Sequence, residues 1–119
     1  MAKKTFVIIG NSAAGISAME AIRSIDRESR VIVISQEKYP AYSRVLTPYL
    51  ISGERESIYI RTLEEYQRMG VALLLGRRAV GIEDKTVILD DGVSISFDSL
   101  LIATGSHAAR PDIENLDVP

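Results

Sequence analysis

The chain contains no cysteine. Disulfides, thiolate metal sites and thiol catalysis are therefore excluded at once, and nothing points to an oxidising compartment. It has one histidine, His107, so a multi-histidine metal centre is excluded as well, and no metal ligand set is expected. There is no charge excess of either sign. A formal net charge of −2 gives no electrostatic case for nucleic acid or for an anionic membrane. No apolar run is long enough to span a bilayer. Met1 to Lys4 is basic, but the apolar run behind it ends at Gly10, too short and too strand-like for a signal peptide. A cytoplasmic protein is expected. Repeats and low-complexity tracts are absent too. What remains is 119 residues with 46% hydrophobic content, enough for one domain with a modest core.

The most informative stretch is Gly10–Gly15, G-N-S-A-A-G. Thr5–Ile9 before it is a short run of β-formers. After it, Ala14, Ala18, Ala21, Ile22 and Ile25 fall on one helical face over about residues 14–25. Arg30–Ile34 is nearly continuous β-branched sequence, the composition of a parallel strand covered on both faces. Strand, glycine turn, helix and strand make a β-α-β unit of about 30 residues. A helix N-terminus presents unpaired N–H groups and a positive dipole end, so a pyrophosphate fits there. The usual spacing is G-x-G-x-x-G, and here Ser12 stands at the second glycine. Gly10 still permits the tight turn and Gly15 the close helix–strand packing. The Ser12 hydroxyl could itself meet a phosphate. The alternative is a βα turn that binds nothing.

Further along, Val45–Ile51 fits a short helix with Pro48 in its first turn, and Thr62-Leu63-Glu64-Glu65 fits a capping box before a helix to Met69, with Gly70 at its end. Val71–Leu75 reads as a buried strand. Ala79–Glu83, Thr86–Leu89 and Val93–Phe97, joined by tight turns, read as an antiparallel meander over about residues 78–97. Leu100–Ala103 returns to buried-strand composition, and Thr104-Gly105-Ser106 ends it. The fold class is α/β, a Rossmann-type domain with a parallel central sheet and a small antiparallel meander.

Several positions carry site chemistry. A carboxylate about 20 residues past the turn bonds adenosine ribose hydroxyls in such folds, and Glu37 is the carboxylate after the second strand. No arginine follows that strand at once, so a 2′-phosphate is not indicated. Arg44 could reach a pyrophosphate as a fork donor or be a surface arginine over a tyrosine; spacing leaves both open. Ala103-Thr104-Gly105 brings small residues to the carboxyl edge of the sheet, where ligands bind in open α/β folds. His107 reads as a solvent-facing loop residue. Arg77-Arg78 and Asp90-Asp91 read as solvated turn residues, and the tyrosines as packing residues.

The ordered set V-I-I-G-N-S-A-A-G at 7–15, P-A-Y-S-R-V-L-T-P-Y-L-I-S-G-E at 40–54, the meander, and F-D-S-L-L-I-A-T-G-S at 97–106 resembles the FAD-binding amino-terminal part of pyridine-nucleotide–disulfide oxidoreductases. It is most similar to the branch of NADH-dependent nitrite reductase large subunits, rubredoxin and ferredoxin reductases and NADH oxidases. The resemblance spans residues 5–111 and implies roles residue by residue. Gly10, Ser12, Ala13, Ala14 and Gly15 match the FAD pyrophosphate turn, and Glu37 the ribose acid. Arg44 matches a basic residue along the flavin phosphate and ring side. Ala79 matches a backbone contact to adenine, and Ala103, Thr104 and Gly105 match the turn packed on the cofactor. Val45 stands in the slot where some members carry a redox cysteine.

The implied parent activity is hydride transfer from NADH, or NAD(P)H more broadly, to FAD and of electrons to an acceptor. No side chain is expected to act as acid, base or nucleophile. Family members continue well beyond this length, so residues 1–119 are expected to be a partial FAD/NAD(P)-binding domain. The NADH-binding domain and the later FAD segment would be absent and the isolated chain inactive. A non-catalytic nucleotide-binding or assembly fragment is the alternative. The expected partners are the dinucleotide and, through surface opened by truncation, a second copy or a partner chain.

Overall fold

The computed structural model describes residues 3–106 and residue 114. Four parallel strands form the central sheet: β1 (Thr5–Ile9), β2 (Arg30–Ser35), β3 (Val71–Leu75) and β7 (Ser99–Ile102), in the order β3-β2-β1-β7. In the register, Ile8 lies opposite Val33 on one side and Leu101 on the other. Side chains alternate between faces, so β1, β2 and β3 each supply two cores, while β7 contributes Leu100 to one.

On one face Ile8, Val31 and Val33 pack against Ile16 and Met19 of α1 (Ala13–Ile25) and against Tyr66 of α3 (Leu63–Arg68). On the other, Val7, Ile9 and Ile34 meet Val87 and Leu89 of the antiparallel sheet β4 (Ala79–Glu83), β5 (Thr86–Leu89) and β6 (Ser94–Ser96). The meander thus does what a second helical layer does in other parallel sheets: it removes the second face from water.

The elements follow the expected boundaries to within a residue or two. Three details differ. The last meander strand is Ser94–Ser96, because Val93 closes the turn by accepting from the Leu89 N–H at 2.9 Å. Helix α1 buries Gly15, Ile16 and Met19, with Ala18 and Ile22 half-buried, and Ile25 is 89% exposed. The larger Ile16 and Met19 set the packed face, rather than the alanines. Strand β7 is an edge strand, which leaves Ile102 58% exposed despite its apolar composition.

Between β2 and α3 the chain makes an excursion. A 3-10 turn (Arg44–Leu46) leads into α2 (Thr47–Ile51), with Pro48 in its first turn. The excursion is tied at its neck by Ser43 N–H to Ile58 carbonyl (2.8 Å) and Ile60 N–H to Ala41 carbonyl (2.7 Å). Helix α3 begins with the capping box, each of Thr62 and Glu65 accepting from the other's backbone N–H at 3.2 Å. Arg23 clamps the far ends of α1 and α3. Its guanidinium donates to the carbonyls of Asp26, Ser29, Met69 and Gly70. Asp26 caps the turn into β2. Its carboxylate accepts from the Ser29 hydroxyl and from the backbone of Ser29 and Glu28, and those bonds hold its pKa below the ordinary value.

Candidate functional site

A cleft of about 390 Å3 opens at the carboxyl ends of β1 and β2, against the start of α1. Its floor is the glycine turn. Gly10 has φ +116 and donates its N–H to the Ile34 carbonyl at 2.8 Å. A Cβ on Gly10 would sit 2.0 Å from the Ala103 carbonyl oxygen. A Cβ on Gly15 would sit 2.2 Å from the Gly10 carbonyl oxygen. Both obstacles are backbone, which cannot swing aside as a side chain can. The two glycines therefore let β1, α1 and the end of β7 converge within one turn.

Ser12 is the N-cap of α1, in extended conformation, and its side chain makes no capping hydrogen bond. The first intrahelical bond is from the Ile16 N–H to the Ser12 carbonyl, 2.9 Å. The N–H groups of Ala13, Ala14 and Gly15 thus precede the helical ladder, at the positive end of its dipole. An anionic oxygen suits this geometry.

The other end of the cleft is built from the loop after β2. Glu37 is anchored through its backbone: its N–H donates to Ser35 Oγ at 3.2 Å, and its carbonyl accepts from the Gly76 N–H at 2.9 Å. Arg77 donates its N–H to the Ser35 carbonyl at 2.9 Å, and its guanidinium meets Asp91 at 2.7 Å. Both partners are partly exposed, so the pair contributes ~0–1 kcal/mol of stability. Its effect is positional, tying the β5–β6 turn to the cleft wall. Ala79, two residues on, also lines the cleft.

Of the expected site residues, Gly10, Ser12, Glu37, Ala79 and Thr104 line the cleft. Ala13 and Ala14 open α1, Gly15 lies buried beneath the turn, and Ala103 and Gly105 flank Thr104. The Arg44 side chain and His107 lie outside the described residues. Arg77, read from sequence as a solvated turn residue, instead lines the cleft and pairs with Asp91. Its place two residues before Ala79, which also lines the cleft, was the available signal. Among the described residues no group of histidine, cysteine, aspartate or glutamate could hold a metal ion, and no helix is long and apolar enough to cross a membrane.

Asn11 also lines the cleft, and its role was not read from the sequence. Its Oδ1 accepts from the Tyr66 hydroxyl at 2.7 Å. Its Nδ2 is buried and has no hydrogen-bond partner among the described residues. An unpaired buried donor costs about 1–3 kcal/mol, so such a group calls for an explanation. Tyr66 is sealed in the core at 2% exposure, and that burial pushes its pKa up, against the lowering effect of the Asn11 bond.

Comparison with known proteins converges on one family. The chain matches the family described as pyridine nucleotide-disulphide oxidoreductase over residues 4–118. It is similar, at 33% identity over 116 residues, to subunit epsilon of the NADH-dependent phenylglyoxylate dehydrogenase of Aromatoleum evansii, covering 94% of this chain and 28% of that one. Among solved structures it is similar to the covalent putidaredoxin reductase–putidaredoxin complex, with a TM-score of 0.86 and 25% identity over 97% of this chain and 29% of that chain. It is also similar to the NADH:rubredoxin oxidoreductase of Clostridium acetobutylicum, with a TM-score of 0.81 and 26% identity over 95% of this chain and 30% of that chain. The chain spans less than a third of the length of each.

Proposed function

This chain belongs to the pyridine nucleotide-disulphide oxidoreductase family, and on that premise we propose that its cleft binds the ADP portion of FAD within an NAD(P)H-dependent flavin oxidoreductase. The observation that carries this reading is the close backbone approach at Gly10 and Gly15, where any Cβ would collide with the Ala103 or Gly10 carbonyl oxygen, in front of an uncapped helix start at the cleft. The N–H groups of Ala13, Ala14 and Gly15, with the Ser12 hydroxyl, would hold the pyrophosphate. Glu37 would accept from the adenosine ribose hydroxyls, and the backbone at Ala79 would meet the adenine edge. Ala103, Thr104 and Gly105 would close the cleft beside the glycine turn, and Arg44 would serve as a cationic donor along the phosphate side.

When bound, the flavin supplies the chemistry: acceptance of hydride from NAD(P)H and release of electrons to an acceptor. The work of these residues is to bind and orient. A relative named as a subunit of an NADH-dependent dehydrogenase and a solved structure named as an NADH:rubredoxin oxidoreductase support the activity for the whole protein. The cytoplasm is the compartment this reading implies.

Calorimetric titration tests the site. ADP and FAD are expected to bind more tightly than ADP carrying a ribose 2′-phosphate, because the Glu37 carboxylate repels the added charge. Equal or tighter binding of the 2′-phosphorylated ligand overturns the assignment of Glu37 and, with it, the choice of FAD over a 2′-phosphorylated dinucleotide.

A further inference from the structure

Asn11 sits between Gly10 and Ser12, inside the glycine turn, and a tyrosine from a distant helix decides how its amide faces. The Tyr66 hydroxyl has one proton to give. It accepts a backbone hydrogen bond from Ala41, so its own proton goes to Asn11 Oδ1, at 2.7 Å. The amide is thereby oriented, with Oδ1 toward Tyr66 and Nδ2 away from it. Nδ2 is buried beside the cleft and has no partner among the described residues. A carboxamide used only to satisfy Tyr66 would need no second polar end there. A group with one end fixed by the core and the other left unpaired at a ligand cleft is a donor held ready for an acceptor.

We propose that Asn11 is a further cofactor-binding residue, its Nδ2–H group directed to a phosphate oxygen of the dinucleotide, with Tyr66 as the positioning residue that sets the amide. The inference rests on the dinucleotide reading given above. The pyrophosphate is the acceptor-rich part of such a ligand, and the turn that carries Asn11 is where it would lie. Tyr66 acts through Asn11 and needs no contact with the ligand.

The test is titration of the 119-residue chain with ADP and, separately, with adenosine, followed by calorimetry and by the side-chain amide resonance of Asn11. ADP is expected to shift that resonance, and adenosine is not. Asn11→Asp keeps the acceptor for Tyr66 and removes the donor, so it should stay folded and lose ADP binding. The double variant Asn11→Leu/Tyr66→Phe replaces the pair without adding charge, and the one group it leaves without its acceptor, the Ala41 N–H, belongs to the core side of the pair. It should bind ADP about tenfold more weakly, with adenosine affinity unchanged. An Asn11 resonance unmoved by saturating ADP overturns the proposal. So does ADP affinity in the double variant equal to that of the wild type, or a loss shared equally by adenosine. A wild-type chain that binds neither ligand rejects the dinucleotide reading itself, a result distinct from any of these.

Discussion

Replacing Gly15 by alanine sets two effects of opposite sign against each other. Gly15 lies in the first turn of α1, and glycine inside a helix is less favourable than alanine by about 0.8–1 kcal/mol. On propensity alone, Gly15→Ala stabilises. The packing argues otherwise. The new Cβ would stand 2.2 Å from the Gly10 carbonyl oxygen and 3.0 Å from its carbon. Reaching an ordinary contact of 3.4 Å requires the helix to retreat from the turn by about 1 Å, against a close-packed core. Overpacking of this kind typically costs ~1–3 kcal/mol, and the obstacle here is backbone. Because backbone cannot swing aside, the cost falls in the upper half of that range, and the expected net is a loss of about 1–2 kcal/mol. Urea unfolding followed by far-UV circular dichroism measures it. Gly81→Ala is the control, since its Cβ would meet only Ile88 Cδ1 at 3.9 Å, and it should match or exceed the wild type. The same retreat would carry the α1 N–H groups off the cleft floor, so ADP affinity should fall in Gly15→Ala alone. A Gly15→Ala chain as stable as the wild type would refute the claim that the turn and helix are in enforced contact.

Two further outcomes follow from local geometry. Asp26 has a depressed pKa, so its contribution is present at neutral pH and is lost as pH falls through the folded-state value. Asp26→Asn should be the less stable chain at pH 7, and the gap should close on acidification below about pH 4, as read by thermal unfolding across pH. The β4–β5 hairpin turns on Asp84 and Lys85, both at positive φ (46° and 57°). A non-glycine residue there is strained, and Lys85→Gly should raise stability by a few tenths to about 1 kcal/mol, measured by the urea midpoint.

The strands and helices were legible because each carries its own local signal. The β-branched run at Arg30–Ile34, the Thr62–Glu65 capping box and the glycine after each short element depend on neighbours within a few residues. What the sequence left hidden is what arises between segments. Nothing in the run Leu100–Ile102 distinguishes an edge strand from a central one, since composition records apolarity and not neighbours. The alanines of α1 suggested a face that Ile16 and Met19 displaced by their size. Arg77 and Asp91 looked like two unrelated surface charges until the meander folded over the sheet and brought them to 2.7 Å. Asn11 lay within the motif, but the partner that gives its amide a direction is 55 residues away.

Strand β7 closes against β1 across nearly the whole chain: the Thr5 N–H meets the Asp98 carboxylate at a sequence separation of 93, and the Ala103 N–H meets the Ile9 carbonyl at 2.7 Å. Closure of so long a loop is entropically disfavoured and tends to come late in folding. The first β-α-β unit can form early from local contacts, yet the carbonyl of Ala103 reaches Gly10 only after this final docking. The glycine turn is therefore complete only once β7 has docked, not when the first β-α-β unit forms. A ligand that recognises the finished turn stabilises the completed chain over every partly folded form. During synthesis the glycine turn would emerge well before the segment that finishes it, so a ligand that needs the finished turn would be held only after Ala103 has docked.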